Sequence, residues 1–318
     1  MPPPEPGNAE LPVVLLTGAS GYVGGRLLPL LERQPVVLRC LARRPDGLRP
    51  LVRESTQVVQ GDVLDSASLA EALQGVHTAY YLVHLMSGSK DFEEDDKRAA
   101  TNFAAAAHKA GVRRIVYLGG LGDDADPGLS PHLRSRHEVG DLLRASGVET
   151  VEFRAGMVIG AGSLSFRLMK SLTDRLPVMV CPRWLTTATQ PVAVDDVLAY
   201  LLAARELPAG GGRTFEIGGP EVVTYADLIR EYARQAGLRR WLVFVPVLTP
   251  YLSGLWLALV TPAKFGVGRH LIEGLRNPTV VRDRSALEVF PVRPVGVREA
   301  IRRAIAGTGE AAATDSSP

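Results

Sequence analysis

"LPVVLLTGASGYVGGRLLPLLER", residues 11–33, decides how the rest of the chain is read. It opens on a short apolar run from Val13 that ends at Thr17, the pattern of a strand buried on both faces. "TGASGYVGG" follows at once and sets Gly18, Gly21 and Gly24 in a G-x-x-G-x-x-G spacing. A helical stretch then begins. Each glycine has its own physical task. The first permits a tight turn, the second lets backbone N–H groups approach a pyrophosphate at a helix N-terminus, and the third lets helix and strand pack closely. A glycine motif alone is a weak signal. Between the first strand and first helix of an alternating chain it predicts a dinucleotide site.

The alternation continues. "PVVLRCLARR", "TQVVQGDVLD", "TAYYLVHL", "RRIVYLGGLG" and "VETVEFRAGMVIG" read as five further strands. "SASLAEALQG", "FEEDDKRAATNFAAAAHKAG" and "SRHEVGDLLRASG" read as helices between them, the first with Ser66 as its cap. Strands alternating with helices predict an α/β fold: a Rossmann-type, doubly wound parallel sheet. After Gly160 the rhythm breaks. Residues 11–160 are expected to form the dinucleotide-binding core, and residues 161–306 a smaller, interleaved C-terminal substrate lobe over the carboxyl edge of the sheet. In that lobe Thr224, with Asp227 three residues on, has the pattern of a helix cap. The Pro-rich residues 1–10 and the small, polar residues 307–318 are expected to be disordered.

The end of the second strand selects the cofactor. An NAD site places an acid about 20 residues beyond the glycine turn to hold the ribose hydroxyls. This chain has "CLARRP" there, with Arg43 and Arg44 and no acid. A guanidinium grips a 2′-phosphate, whereas a carboxylate repels it, so NADP(H) is favoured. After the third strand comes "GDV", where Asp62, followed by Val63, is placed to accept from the adenine amino group.

Bulk properties narrow the partners. The 36 Lys and Arg against 34 Asp and Glu give a net charge of +2, which offers nucleic acid no electrostatic hold. Cys40 and Cys181 lie far apart among apolar neighbours and have no metal-ligand or redox spacing, so no metal is expected. Buried thiols suit a reducing cytoplasm, and the opening decapeptide has neither the basic start nor the apolar core of a secretory leader. Residues 242–260, "LVFVPVLTPYLSGLWLALV", contain no charge and are long enough to raise a membrane span. Pro246 and Pro250 would break such a helix, so the segment is read as a cavity wall, with membrane-surface contact as the alternative. Phe166, Met169, Trp184 and Trp256 are candidates for the same wall, and core packing is the plainer reading of each.

These residues together resemble the extended and atypical short-chain dehydrogenase/reductases, in their NmrA-like, NAD(P)-binding branch. The carriers are "TGASGYVG", "GDV", "YYLVH", "RRIVYLGGLG", "SPHLRSRHEVG", "RAGMVIG" and "QPVAVDDV", and the likeness spans roughly residues 13–306. The string "SPHLRSRHEVG" resembles one bacterial oxidoreductase subgroup. The resemblance implies that Gly18, Ser20, Gly21, Tyr22 and Val23 contact the pyrophosphate. It implies that Leu82, Val83 and His84 pass beside the cofactor. It also implies that Arg154, Ala155, Gly156 and Met157 run by the nicotinamide.

Active members of that family use a Tyr as proton donor, a Lys that lowers its pKa and holds the ribose, and a Ser or Thr that orients the carbonyl. Here the Tyr place is His132 and the Lys place is Arg136. The strand end that should supply a hydroxyl reads "LGGLG", with Gly119, counted among the cofactor contacts, and Gly120. His132 and Arg136, four residues apart, share one helix face. A histidine with an ordinary pKa of about 6.5 suits proton transfer at neutral pH. A neighbouring Arg and a helix N-terminus both disfavour its charged form, however. Arg136 is suited to holding ribose hydroxyls or a phosphate, and His137 is expected to face outward.

The expected function is NADPH-dependent hydride transfer to a hydrophobic small molecule that tolerates a weak acid, such as a quinone, an enone or an iminium. The alternative is a non-catalytic NADP(H)-binding sensor or assembly factor. A nucleotide-sugar epimerase is weaker, because such enzymes rely on the absent Tyr and Lys.

Overall fold

The computed structural model describes residues 11–85, 92–245 and 275–314. Seven strands form one sheet, all pairs parallel: β1 (Val13–Thr17), β2 (Val37–Ala42), β3 (Gln57–Gln60), β4 (Val76–Tyr81), β5 (Arg114–Gly120), β6 (Glu149–Ala155) and, much later, β11 (Thr214–Ile217). The order β3-β2-β1-β4-β5-β6-β11 reverses direction beside β1. In such sheets ligands bind in the crevice outside the carboxyl ends, at that reversal. The doubly wound α/β fold expected from the alternation is the fold observed.

The helices follow the same logic. They are α1 (Tyr22–Leu31), α2 (Ser66–Ala72), α3 (Phe92–Lys109) and α4 (Pro131–Ala145). The unbroken apolar run in β1 is explained by burial on both sides. Val14 and Leu16 pack with Leu27, Leu28 and Leu31 of α1, while Leu15 packs on the opposite face with Leu69, Phe103 and Leu143. Asp65 rather than Ser66 caps α2, its carboxylate accepting from Ala67 N–H at 3.0 Å. Ser66 is instead the first helical residue, because the aspartate one position earlier has the extended backbone a cap requires.

The remaining elements are β7 (Val158–Ile159), α5 (Leu164–Arg175), β8 (Val178–Cys181), β9 (Ala188–Thr189), β10 (Val192–Ala193), α6 (Val194–Ala203), β12 (Val223–Thr224), α7 (Tyr225–Gln235), β13 (Trp241–Phe244), α8 (Ala286–Val289) and α9 (Val297–Thr314). Thr224 and Asp227 form a reciprocal capping box on α7. A third apolar core, with Phe166, Met179, Leu228 and Ile301, belongs to the C-terminal lobe. Phe166 stands edge-on to Tyr232 there, and Met169 is buried in the same core.

Lobe and sheet domain exchange elements. Val197, Leu198 and Leu201 of α6 join the core beneath α1, and β11 extends the sheet beside β6. Phe290, just past α8, packs against Phe153, Tyr200 and Phe215, with ring centroids 4.9–5.7 Å apart. The last helix runs on to Thr314, past the position where a structureless tail was expected.

Of the apolar stretch 242–260, only the start is described: it lies in β13, paired in parallel with β8. The rest, with Trp256, lies outside the described residues. Among the described residues no helix is long and apolar enough to cross a membrane.

Candidate active site

The carboxyl ends of β1 to β4 open onto a cavity of about 640 Å³. Its wall includes Gly18, Ser20 and Gly21 from the first turn, Arg43 after β2, Asp62 and Val63 after β3, and Leu82, Val83 and His84 after β4. Nine predicted cofactor contacts are thus brought together by the topology alone.

The glycine turn is shaped by contact distances. Gly18 has φ +70°, and a Cβ there would lie 2.4 Å from the Leu82 carbonyl oxygen. A Cβ on Gly24 would lie 2.2 Å from the Gly18 carbonyl oxygen, so α1 packs directly on its own entry turn. Gly21 N–H closes the turn onto Gly18 O at 2.9 Å. Thr17, fully buried, is a residue the sequence reading missed. Its hydroxyl donates to Tyr80 O at 2.9 Å and accepts from Leu82 N–H at 3.1 Å. It ties the end of β1 to the wall residue Leu82. Asp62 caps its own turn, its carboxylate accepting from Leu64 N–H at 3.0 Å. This cradle, with backbone approach guaranteed by the glycines and a cation at the far end, fits a dinucleotide.

Tyr22 and Val23 stay at the glycine turn but send their side chains elsewhere, and the other predicted residues lie outside the cavity wall. The Tyr22 hydroxyl is buried against Gly160, where a Cβ would lie 2.2 Å from it, and the Arg26 guanidinium covers its ring at 4.1 Å. Val23 packs on the core beneath the sheet. Arg44 is exposed, one residue beyond the cavity wall. Gly119 does not face the cavity: it faces Glu152, whose Oε1 would lie 2.8 Å from a Cβ. Gly120 faces Leu133 and Arg136. The missing hydroxyl therefore has a steric reason, since those neighbours fill its space.

Arg154 is buried and committed to ion pairs, with Glu152 at 2.9 Å and Asp124 at 2.7 Å. Arg144 pairs with the same Glu152, which is wholly buried. Ala155 ends β6 in the core, Gly156 abuts Thr279, and Met157 enters the core of the lobe. Arg136 is also buried. Its guanidinium donates to the Tyr117 hydroxyl and lies 4.9 Å from the centre of that ring. Burial and then the Arg136 charge act oppositely on Tyr117, and burial wins, pushing its phenol up to about 12.

His137, expected to face outward, is buried: its Nε2 lies 2.9 Å from Gly120 O, and Asp124 pairs with its Nδ1. The helix turns that face inward because α4 packs on β5 and α3 along two sides. Burial, then the Arg154 charge, hold His137 below its ordinary value.

His132 is drawn to the cavity edge. Its Nδ1 lies 3.3 Å from Nε2 of the wall residue His84, whose Nδ1 lies 2.9 Å from the buried carboxylate of Asp96 on α3. Asp96 is another residue that the sequence reading missed, hidden in the acidic start of α3. The N-terminus of α4 that carries His132 is itself held. Ser130 caps it by accepting from Leu133 N–H at 3.3 Å. Asn277, from the C-terminal lobe, accepts from Ser130 N–H at 3.1 Å and donates to Asp126 and Gly128 O. Among the described residues no cluster of three or more His, Cys, Asp or Glu is placed to hold a metal ion.

A family model described as NAD(P)H-binding matches residues 18–174. The chain is 31% identical over 234 residues to a (4-alkanoyl-5-oxo-2,5-dihydrofuran-3-yl)methyl phosphate reductase of Streptomyces griseus, covering 71% of this chain and 74% of that one. This chain belongs to the NAD(P)H-binding family. It is also 28% identical over 268 residues to a ceramide reductase of Caulobacter vibrioides, covering 81% of this chain and 82% of the relative. In fold it resembles the triphenylmethane reductase of Citrobacter sp. solved with NADP(H), with a TM-score of 0.72 and 18% identity over 92% of this chain and 99% of that one. Its architecture is that of an NAD(P)H-binding reductase.

Proposed function

We propose that this protein is an NADPH-dependent oxidoreductase of the NmrA-like branch that reduces a hydrophobic small molecule of quinone, enone or iminium type. The observation that carries the reading is the cavity running from Arg43 to His84, with His132 hydrogen-bonded at its end. In this reading Gly18, Ser20, Gly21, Tyr22 and Val23 hold the pyrophosphate by their backbone. Arg43 takes the 2′-phosphate, and Asp62 with Val63 flanks the adenine. The bound nicotinamide supplies hydride. The chain itself orients the acceptor and moves a proton at His132, while Arg136 and Arg154 shape the site from behind through Tyr117 and Glu152.

The names of two relatives support different parts of this reading. The Streptomyces enzyme is named for a ring whose double bond is conjugated to both an alkanoyl and an oxo group, which is an enone. The Caulobacter enzyme is named for ceramide, a lipid, which supports the hydrophobic part of the reading alone. A non-catalytic NADP(H)-binding role has one observation in its favour: Arg136 and Arg154 are both engaged inside the protein. NADPH oxidation with menadione, a conjugated enone and a triphenylmethane dye separates the two. Turnover that His132→Phe reduces at least tenfold supports the reductase. Tight NADPH binding with no oxidation across the panel supports the sensor.

A further inference from the structure

We propose that Asp96 and His84 are positioning residues that set the tautomer of His132, so that Nε2 of His132 is the atom that exchanges a proton. This rests on the reductase reading above. Asp96 is 1% exposed. Burial works to raise its pKa, but the hydrogen bond from His84, its charge interactions with His84 and Arg136, and the Leu85 N–H together hold it below the usual range. It is therefore an ionised carboxylate, able only to accept. Its Oδ1 accepts from Leu85 N–H at 3.0 Å, and its Oδ2 from the Ser135 hydroxyl at 3.0 Å. The third donor is His84 Nδ1, at 2.9 Å from Oδ2, so that nitrogen carries the proton.

Burial, then the Arg136 guanidinium, hold His84 below its ordinary value. At pH 7 its ring is neutral and Nε2 is a lone pair. The hydrogen between His84 Nε2 and His132 Nδ1, 3.3 Å apart, must then belong to His132. A neutral His132 with its proton on Nδ1 carries no proton on Nε2. When it picks up a second proton, it can release that proton from Nε2 and keep the bond to His84. The N–H electron pair stays on nitrogen, the proton goes to the substrate atom made basic by hydride addition, and water restores it.

The test reads tautomers directly. Long-range ¹H–¹⁵N NMR of the cofactor-free full chain, labelled at histidine, should show His84 and His132 both as Nδ1–H at pH 7.5. In Asp96→Asn, Leu85 N–H keeps the amide oxygen, so the amide nitrogen faces His84 Nδ1 and donates to it. Both rings should then switch to Nε2–H. With NADPH and menadione, kcat of Asp96→Asn should fall about a hundredfold, at the lower end of what general acid–base catalysis contributes. KM for menadione and Kd for NADPH should stay within about twofold, because neither ligand contact is removed. An Nε2–H His132 in the wild type, unchanged rings in the variant, or unchanged kcat after the switch would each overturn the proposal. If Asp96→Asn does not fold, the wild-type tautomers still decide. A wild type that oxidises no NADPH in the panel would instead sink the reductase reading, a separate result from the wrong tautomers in an active protein.

Discussion

Replacing Gly18 by Ala should damage the cofactor site through one contact. Two costs arise. Gly18 has φ +70°, a region that costs an L-residue about 1–2 kcal/mol. The new Cβ would also lie 2.4 Å from Leu82 O, roughly 1 Å short of a close C···O contact of about 3.3 Å. Leu82 is pinned by Thr17 and begins the cavity wall that continues through Val83 and His84, so the shift is passed to the site. Gly75 supplies the control. Its φ is +71°, but a Cβ there meets nothing within 4 Å, so Gly75→Ala carries the backbone cost alone. Urea denaturation with unchanged slope should show a loss of about 1–2 kcal/mol for Gly75→Ala and a larger one for Gly18→Ala. NADPH fluorescence titration should show Kd raised at least about tenfold for Gly18→Ala, or about 1.4 kcal/mol, and unchanged for Gly75→Ala. If the two variants matched in both stability and affinity, the contact with Leu82 would have no role and the cradle argument would fail.

Three further outcomes follow from the same structure. Arg43→Ala should weaken NADPH about ten- to a hundredfold by calorimetry, the worth of a charged hydrogen bond, and leave NADH unchanged; equal losses for both would remove Arg43 from the 2′-phosphate. Glu152→Ala removes the buried carboxylate shared by Arg144 and Arg154 and should cost about 3 kcal/mol in urea, at the low end for broken buried pairs because Arg144 keeps Asp141 and Arg154 keeps Asp124; a loss under about 1 kcal/mol would contradict that network. Acid should destabilise the fold. Burial holds His84 and His137 below their ordinary values, so the unfolded chain binds more protons, and their contribution, complete above about pH 6.5, is lost as pH falls toward the folded values. Asp96, lowered despite burial, and the exposed Asp124, lowered by Arg154 and His137 against partial desolvation, add a loss of the same sign below about pH 4. A urea midpoint that is flat or rising from pH 7.5 to 5.5 would count against the histidine assignment.

Local patterns were legible where neighbours in sequence are neighbours in space. The run Val13–Thr17, the glycine spacing and the Thr224–Asp227 box each describe one turn or one strand, and each formed as read. The placement of Asp65 over Ser66 turned on one residue's backbone angles, which composition does not reveal. His137 was misread because a helix face is buried or exposed according to what packs on it, and α4 meets two elements at once. Arg136 and Arg154 were read as facing a ligand. Their partners, Tyr117, Glu152 and Asp124, come from other strands and loops, and no spacing along the chain announces them.

By itself the sequence determined a doubly wound parallel sheet and a dinucleotide cradle, because strand period, helix period and glycine geometry are local properties. By resemblance it also set His132 and Arg136 at the places where related reductases carry Tyr and Lys. Only the tertiary structure decided what those replacements do. It turned Arg136 onto Tyr117, filled the place of the missing hydroxyl with Glu152 and Leu133, and set His132 against His84 and the buried Asp96. Those contacts join α3, α4 and the end of β4 across dozens of residues, and the state of a proton depends on all of them together.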